Sequence, residues 1–151
     1  MSKPLEFSMR IPCSAEFIGV VRLAVSGIAS RMNFTIEEIE DIKISISEAC
    51  TNAIQHAFEN PDPEKDFIQI VVTMSDDSLD IEVSDFGRGF DLAILGTEEQ
   101  KERSREKLGL GLGLTFIKSL MDSTDFSSEP GKGTTIKMSK KAPKLISTEM
   151  A

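Results

Sequence analysis

The chain has 151 residues and a formal net charge of −8, a size typical of one domain with its own core. An acidic protein repels phosphate, which argues against a nucleic-acid or anionic-lipid partner. The two cysteines, Cys13 and Cys50, lie far apart in sequence and suggest neither a disulfide framework nor a zinc site. Because the sequence contains no apolar run of membrane-spanning length and no secretory signal, we expect a soluble, cytoplasmic protein.

The N-terminal part of the chain predicts one strand followed by two helices. Residues 5–12 alternate apolar and polar side chains, as a half-buried strand does. Ser14 is placed to cap a first helix that ends near Met32. Thr35 opens a TxxE capping box, which predicts a second helix running to about Phe58.

The C-terminal part predicts two hairpins with a third helix between them. Residues 67–74 and 79–86 both alternate and are separated by a short acidic turn, which indicates an antiparallel hairpin. Residues 112–121 return to helical spacing, and residues 125–138 contain two strand segments around a Pro-Gly turn. From Lys140 onward we expect a frayed, solvated tail.

This order of elements predicts an α+β fold. Strands joined by hairpins, with helices between them, favour a two-layer α/β sandwich whose mixed, mostly antiparallel sheet carries the helices on one face. We expect one domain over residues 1–141 and a flexible tail over residues 142–151. Residues 87–107 hold glycines and the charged run EEQKERSREK, and suit an exposed connector and a functional lid equally well.

The second predicted helix has two distinct faces. Its apolar face, expected to meet the core, consists of Ile39, Ile42, Ile46, Ala49, Ala53 and Ala57. A second line at helical spacing consists of Asp41, Ser45, Glu48, Asn52 and His56. By itself such a line is typical of a solvated face, but it places the carboxylate of Glu48 one turn before the amide of Asn52.

Three glycine motifs follow this helix. Asp85 ends a strand and is followed by Gly87 and Gly89, so a carboxylate emerges beside backbone that a planar ligand can approach closely. Gly109-Leu110-Gly111-Leu112-Gly113 precedes the third helix, an arrangement that suits phosphate binding. Gly131-Lys132-Gly133-Thr134-Thr135 forms the last turn. Taken singly, each motif also has an ordinary structural explanation. The first suits a turn, the second suits close packing of a helix, and the third suits a plain hairpin.

In their order, these motifs resemble the nucleotide-binding boxes of a known superfamily. The segments SEACTNAIQHAF, DFGRGFD, GLGLGL and GKGTT are similar to those of the GHKL ATPases, which have the Bergerat fold. The resemblance covers about residues 5–140. It is closer still to the bacterial anti-sigma-factor serine/threonine kinases of the RsbW type and their sporulation relative, through SEACTNAIQH and SEPGKGTT.

The resemblance implies a site for ATP and Mg²⁺. It implies that Asn52 ligates Mg²⁺ and that Glu48 is catalytic, taking the proton of an incoming serine or threonine hydroxyl. The nucleotide-binding residues implied, Asn52 among them, are His56, Asp85, Gly87, Gly89, Arg105, Lys107, Gly109, Gly111, Gly113 and Thr134.

Within that set the resemblance implies separate roles. Asp85 accepts a hydrogen bond from the adenine amino group, and Thr134 supports the base through water. The three loop glycines wrap the phosphates, and either Arg105 or Lys107 meets the terminal phosphate. His56 forms part of the pocket wall and takes no part in phosphate transfer.

The partners implied are a STAS-type anti-anti-sigma protein as the phosphorylated substrate and an alternative RNA polymerase sigma factor as the sequestered target, with a homodimer as the assembly. Two alternatives stay open: an ATP-binding anti-sigma module that transfers no phosphate, which the presence of Glu48 disfavours, and the detached catalytic domain of a histidine kinase. Val20, Val21, Leu23 and Ala24 on the first helix suit either the core or a dimer surface, and the core is favoured for most of them.

Overall fold

The computed structural model describes residues 3–58, 60–87, 89 and 111–143. In these ranges the strands and helices are β1 (Leu5–Pro12), α1 (Ile18–Arg31), α2 (Ile36–His56), β2 (Phe67–Met74), β3 (Ser78–Asp85), α3 (Gly111–Leu120), β4 (Ser123–Glu129) and β5 (Gly133–Lys141). A single 3₁₀ turn, Ala15–Phe17, precedes α1. Most of the predicted connector, including Arg105, Lys107 and Gly109, and the predicted tail beyond residue 143 lie outside the described residues.

The five described strands form one sheet in the order β1-β2-β3-β5-β4. Side chains of β2 and β3 alternate between buried and half-buried along each strand, because one face meets the helices and the other faces solvent. This confirms the predicted α+β sandwich. The sheet is not mixed, since all four pairings are antiparallel. β3 and β4, which precede and follow α3 in the chain, run in the same direction. They do not pair with each other, because β5 lies between them.

The starts of the two long helices differ in how they are capped. At α2 the Thr35 hydroxyl accepts a hydrogen bond from the Glu38 amide at 3.1 Å, and the Glu38 carboxylate accepts one from the Thr35 amide at 2.9 Å, so the predicted capping box is confirmed. Ser14 does not cap α1, because its side chain makes no such bond and the 3₁₀ turn comes first. The Ser14 amide instead donates to the Pro12 carbonyl in a tight turn.

The core lies between α1, α2, α3 and the inner face of the sheet. The predicted apolar face of α2 is confirmed, with Ile42, Ile46 and Ala49 fully buried. On α1 the core interpretation holds for Val21, whereas Val20 and Leu23 are 49% and 75% exposed. They point away because successive helix residues turn by about 100°, so only part of α1 can face α2.

The prediction of a frayed chain is wrong at Lys140 and Lys141. β5 continues to Lys141, and Lys140 is only 8% exposed on the inner face of the sheet. Its register partner is Leu79 of β3, which is fully buried. The lysine can remain inside because its ammonium nitrogen donates a hydrogen bond of 2.6 Å to the carbonyl of Leu120.

The contrast between the two faces of α2 gives a stability test. Ile46→Ala should lower the free energy of unfolding by about 2–5 kcal/mol, because it removes buried methyl groups and leaves a cavity. The matched control is Ile44→Ala on the same helix, where the side chain is 43% exposed, and its cost should be much smaller. Urea unfolding followed by circular dichroism measures both; equal costs would contradict this placement of α2.

Candidate functional site

A buried carboxylate marks the end of β3. Asp85 is 6% exposed, and its Oδ1 accepts hydrogen bonds from the amides of Gly87 at 3.0 Å and Thr134 at 3.3 Å. Gly87 follows two residues later in the chain, while Thr134 is the register partner of Asp85 on β5. The neighbouring strand therefore fixes the orientation of this carboxylate.

Burial raises the pKa of Asp85 above its ordinary value, and the two amide hydrogen bonds partly oppose that shift. The charged form of the buried carboxylate therefore remains costly to the folded protein. A ligand that brings a hydrogen-bond donor to Oδ2 would offset this cost, because a carboxylate can accept several such bonds. Asp85 is thus suited to accept a further hydrogen bond from a ligand, for example from an exocyclic amino group.

The chain beside Asp85 passes so close to other backbone that only glycine fits. A Cβ on Gly87 would lie 2.0 Å from the carbonyl oxygen of Ala57, at the end of α2. Gly89 has a φ of +56°, and a Cβ there would lie 2.1 Å from the carbonyl oxygen of Glu129 at the end of β4. The two glycines of the DxGxG motif therefore lie between the end of α2 and the last hairpin.

Thr134 is held on its other side by the last hairpin. Its hydroxyl lies 2.8 Å from the hydroxyl of Ser128, which faces it across β4 and β5. The preceding Gly133 has a φ of +91°, and a Cβ there would meet the Asp85 carbonyl oxygen at 2.1 Å. The GKGTT turn thus closes one wall of the site around Asp85.

α2 carries the polar line that the spacing predicts, and the structure places that line partly inside. Ser45 is fully buried and Asn52 is 5% exposed, while Glu48 is half-buried. Among the described residues, the Ser45 hydroxyl and the Asn52 amide nitrogen have no hydrogen-bond partner. Buried polar atoms without partners are uncommon in proteins and indicate a place where a ligand or water completes the set.

His56 is the last residue of α2 and is half-buried. The next residue, Ala57, is the one that meets Gly87. The C-terminal end of α2 and the backbone after Asp85 are therefore in contact, which brings the C-terminal part of the α2 line close to the buried carboxylate.

The phosphate-binding part of the predicted site is described only at α3. Gly111 and Gly113 belong to its first turn, where helix amide groups lack intrahelical partners. α3 packs against α2, with Leu114 and Ile117 buried.

Sequence reasoning missed two residues beside Asp85. The Ser128 hydroxyl contacts that of Thr134. The register of the last hairpin, which places Ser128 opposite Thr134, is the feature from which this contact could have been predicted. Cys13 is buried, and its thiol has a pKa raised by burial and by the charges of Asp66 and Asp85. The thiol is therefore a poor nucleophile. Both Cys13 and Cys50 are buried free thiols.

The fold and the carboxylate bound by two backbone amides are those of a small nucleotide-binding α/β sandwich, and comparison with known proteins names its class. The histidine kinase-like ATPase domain matches residues 11–140. The chain is 39% identical over 136 residues to serine-protein kinase RsbW of Bacillus pumilus, covering 87% of this chain and 83% of the relative. It is 38% identical over 145 residues to the enzyme of the same name from Bacillus velezensis, covering 93% and 88%.

A crystal structure of RsbU and RsbW domains from Mycobacterium tuberculosis superimposes with a TM-score of 0.61 at 18% identity, covering 94% of this chain and 33% of that one. This likeness shows the fold alone. The chain belongs to the histidine kinase-like ATPase family. The two Bacillus relatives confirm the resemblance to anti-sigma-factor serine kinases. The predictions that the chain is a protein serine/threonine kinase and that it uses ATP are also confirmed.

The burial of Asp85 predicts opposite effects of one substitution on binding and on stability. Asp85→Asn keeps an oxygen for the two amide donors but removes the buried charge and the second acceptor. ATP affinity should fall by about tenfold to a hundredfold, the loss of a hydrogen bond to a charged group. The apo protein should be at least as stable as the wild type at pH 7.

The sign follows from the raised pKa of Asp85. The folded state binds this proton more tightly than the unfolded chain does, so stability falls as pH rises through the range between the two pKa values. Asn cannot ionise, and Asp85→Asn should flatten that part of the profile. Isothermal titration with ATP and thermal unfolding between pH 4 and 8 measure both effects; a destabilised variant would contradict this account.

The glycine contacts predict a second pair of variants. Gly87→Ala forces a Cβ into the Ala57 carbonyl, and should lower stability by about 1–3 kcal/mol and weaken ATP binding. The control is Gly27→Ala in α1, where a Cβ would meet nothing within 4 Å. That change should stabilise the protein by up to about 1 kcal/mol, because alanine favours helix. Thermal unfolding and ATP titration of both variants test the contrast.

Proposed function

We propose that the chain transfers the γ-phosphoryl group of ATP to a serine or threonine of a STAS-type anti-anti-sigma protein and, when not so engaged, sequesters an alternative RNA polymerase sigma factor. The observation that carries the catalytic part is the pair Glu48 and Asn52, one turn apart on α2. That helix ends in contact with the backbone that follows Asp85. The similar serine-protein kinases of Bacillus pumilus and Bacillus velezensis support the same reaction.

Asn52 suits the Mg²⁺ role. Its side chain is buried, and its amide nitrogen has no hydrogen-bond partner among the described residues. An amide oxygen is a suitable ligand for a hard cation. The described residues contain no group of three or more His, Cys, Asp or Glu that could hold a metal. Mg²⁺ in phosphoryl transfer commonly takes one or two protein oxygens together with phosphates and water, and neutralises phosphate charge.

Glu48 is the proposed catalytic residue. Its carboxylate orients the acceptor hydroxyl and accepts its proton while the hydroxyl oxygen forms the new bond to phosphorus. The bond from phosphorus to the bridging oxygen breaks, and its electron pair leaves on ADP. The half-buried position of Glu48 supports this role, since the side chain meets both the interior and an incoming partner.

The remaining residues divide between base and phosphates. Asp85 accepts a hydrogen bond from the adenine amino group, and Thr134 supports the base through water. Gly87 and Gly89 allow the base to approach the backbone closely. His56 is part of the pocket wall. Gly109, Gly111 and Gly113 hold the phosphates, and Arg105 or Lys107 meets the terminal one.

An open groove of about 790 Å³ between α1 and α2 supports a protein as the acceptor. Glu48 lines it together with Val20, Leu23 and Ile44, whose side chains are 49%, 75% and 43% exposed. An acceptor hydroxyl must reach Glu48, so the chain that carries it has to pass along these apolar side chains.

The assembly and location follow from the same proposal. Exposed apolar side chains on α1 suit a surface for a partner or for a second copy, and we propose a homodimer. No helix in the described part of the chain is long and apolar enough to cross a membrane. Because sigma factors act on RNA polymerase, the proposed location is the cytoplasm. Residues 1–141 would form the working domain, with residues 142–151 as a tail.

The kinase test uses the wild type and Glu48→Gln with labelled Mg-ATP and a purified STAS-domain protein of the same organism. Glu48→Gln should lower phosphoryl transfer by about 10²–10⁴-fold, because the base is lost, and leave ATP affinity unchanged. Glu37→Gln, at an exposed position of the same helix, is the control and should retain full activity.

The product separates this proposal from the alternatives. Phosphoserine and phosphothreonine survive acid, whereas phosphohistidine does not, so an acid-labile product would indicate a histidine kinase. ATP binding without any transfer to the STAS-domain protein would leave an anti-sigma module without kinase activity toward it. Failure of the wild type to bind ATP would overturn the proposal altogether.

A further inference from the structure

A buried lysine joins three elements at the end of the sheet far from Asp85. Lys140 of β5 is 8% exposed, and its Nζ donates to the carbonyl of Leu120, the last residue of α3, at 2.6 Å. The same nitrogen lies 3.7 Å from Oδ2 of Asp41 on α2. One ammonium group therefore connects β5, α3 and α2.

A charge in this position has a specific effect on α3. An apolar side chain would fill the inner face equally well, since its strand neighbours Leu79 and Met138 are apolar and buried, and lysine is seldom buried without partners. The last carbonyls of a helix lack intrahelical donors and carry partial negative charge. The Lys140 ammonium satisfies one of them and so stabilises the C-terminal end of α3.

This contact adds something that the apolar packing of α3 does not supply. Leu114 and Ile117 of the helix, and Met121 just after it, are buried, and burial of this kind is non-directional. A hydrogen bond to the final carbonyl fixes how far the helix extends along its own axis. The opposite end begins at Gly111, about 15 Å away for a helix of ten residues.

We propose that Lys140 is a positioning residue for phosphate binding. It anchors the C-terminal end of α3 to α2, and thereby sets the distance between the N-terminal turn of α3 and Asn52. Asp41, the second partner of Lys140, belongs to the same helix as Glu48 and Asn52, so the anchor and the site share one rigid element. The inference rests on the proposed ATP site, and it concerns the phosphates and not the base.

The test compares two ligands that differ only in phosphates. Lys140→Met keeps the length of the side chain and removes its charge and donors. Mg-ATP affinity, measured by isothermal titration, should fall by about tenfold or more, because misplacement by about 1 Å is costly in such sites. Adenosine affinity, measured by NMR titration, should not change. Lys141→Met, at the next and exposed position, is the control and should alter neither.

Two further variants keep the test decisive. Lys140→Arg retains a cationic donor and should restore much of the Mg-ATP affinity. If Lys140→Met does not fold, Asp41→Asn decides the matter, because it weakens only the ion pair and should lower Mg-ATP affinity more than adenosine affinity.

Equal loss for both ligands, or loss of thermal stability with an unchanged affinity ratio, would show that Lys140 is merely structural and would overturn the inference. These outcomes differ from failure of the proposed function. A wild type that does not bind Mg-ATP overturns both, whereas normal wild-type binding with an unchanged ratio in the variant overturns only the role of Lys140.

Discussion

The burial of one carboxylate sets the constraint on which the rest of the site depends. Asp85 can remain inside the protein only if the amides of Gly87 and Thr134 reach its Oδ1. The first amide requires a tight path after β3, and the second requires the register between β3 and β5. This close path of the backbone requires glycine at positions 87, 89 and 133. A Cβ atom at any of the three would lie within 2.1 Å of a backbone carbonyl oxygen.

The burial of polar groups at this site is costly to the folded protein. The charge of Asp85 is desolvated, and the Ser45 hydroxyl and the Asn52 amide nitrogen are buried without partners among the described residues. Each such group opposes folding until a ligand or water satisfies it. A ligand that binds only the folded state recovers that free energy and stabilises the protein. Function and stability are therefore in opposition at this site.

The sequence predicts those features that depend on neighbours along the chain. The α2 capping box, its apolar face and the β2–β3 hairpin all follow from spacings of two to four residues, and the structure has them. The DxGxG motif indicates a close backbone approach, but not that Ala57 is the backbone approached, since that contact spans thirty residues of chain. The order of the strands likewise depends on how two hairpins meet, which no local spacing shows, and the prediction of a mixed sheet is wrong for this reason.

The burial of Lys140 is a second feature that the sequence alone does not predict. A lysine near the end of a chain is ordinarily exposed, and only the carbonyl of Leu120 and the carboxylate of Asp41 explain its burial. Both partners are brought to it by packing, and nothing within a few residues of Lys140 indicates either one. Val20 and Leu23 of α1 present the converse case, because apolar character alone does not distinguish a core face from a surface that binds a partner.

These two ends of the sheet are connected by α2. At one end Asp41 meets Lys140, and at the other Ala57 meets Gly87. Ala57 follows Asp41 by sixteen residue steps, which span about 24 Å of helix, close to the length of an eight-residue strand such as β3. The helix is thus held at both ends, and Glu48 and Asn52 lie on the rigid stretch between.

Glu48 reaches the groove beside α1, and Asn52 is buried. In the proposed site one helix would therefore separate the nucleotide side from the protein side, with the carboxylate of Glu48, the proposed proton acceptor, between them. A proton acceptor in that position can serve a hydroxyl that arrives from the groove while the phosphates stay on the interior side.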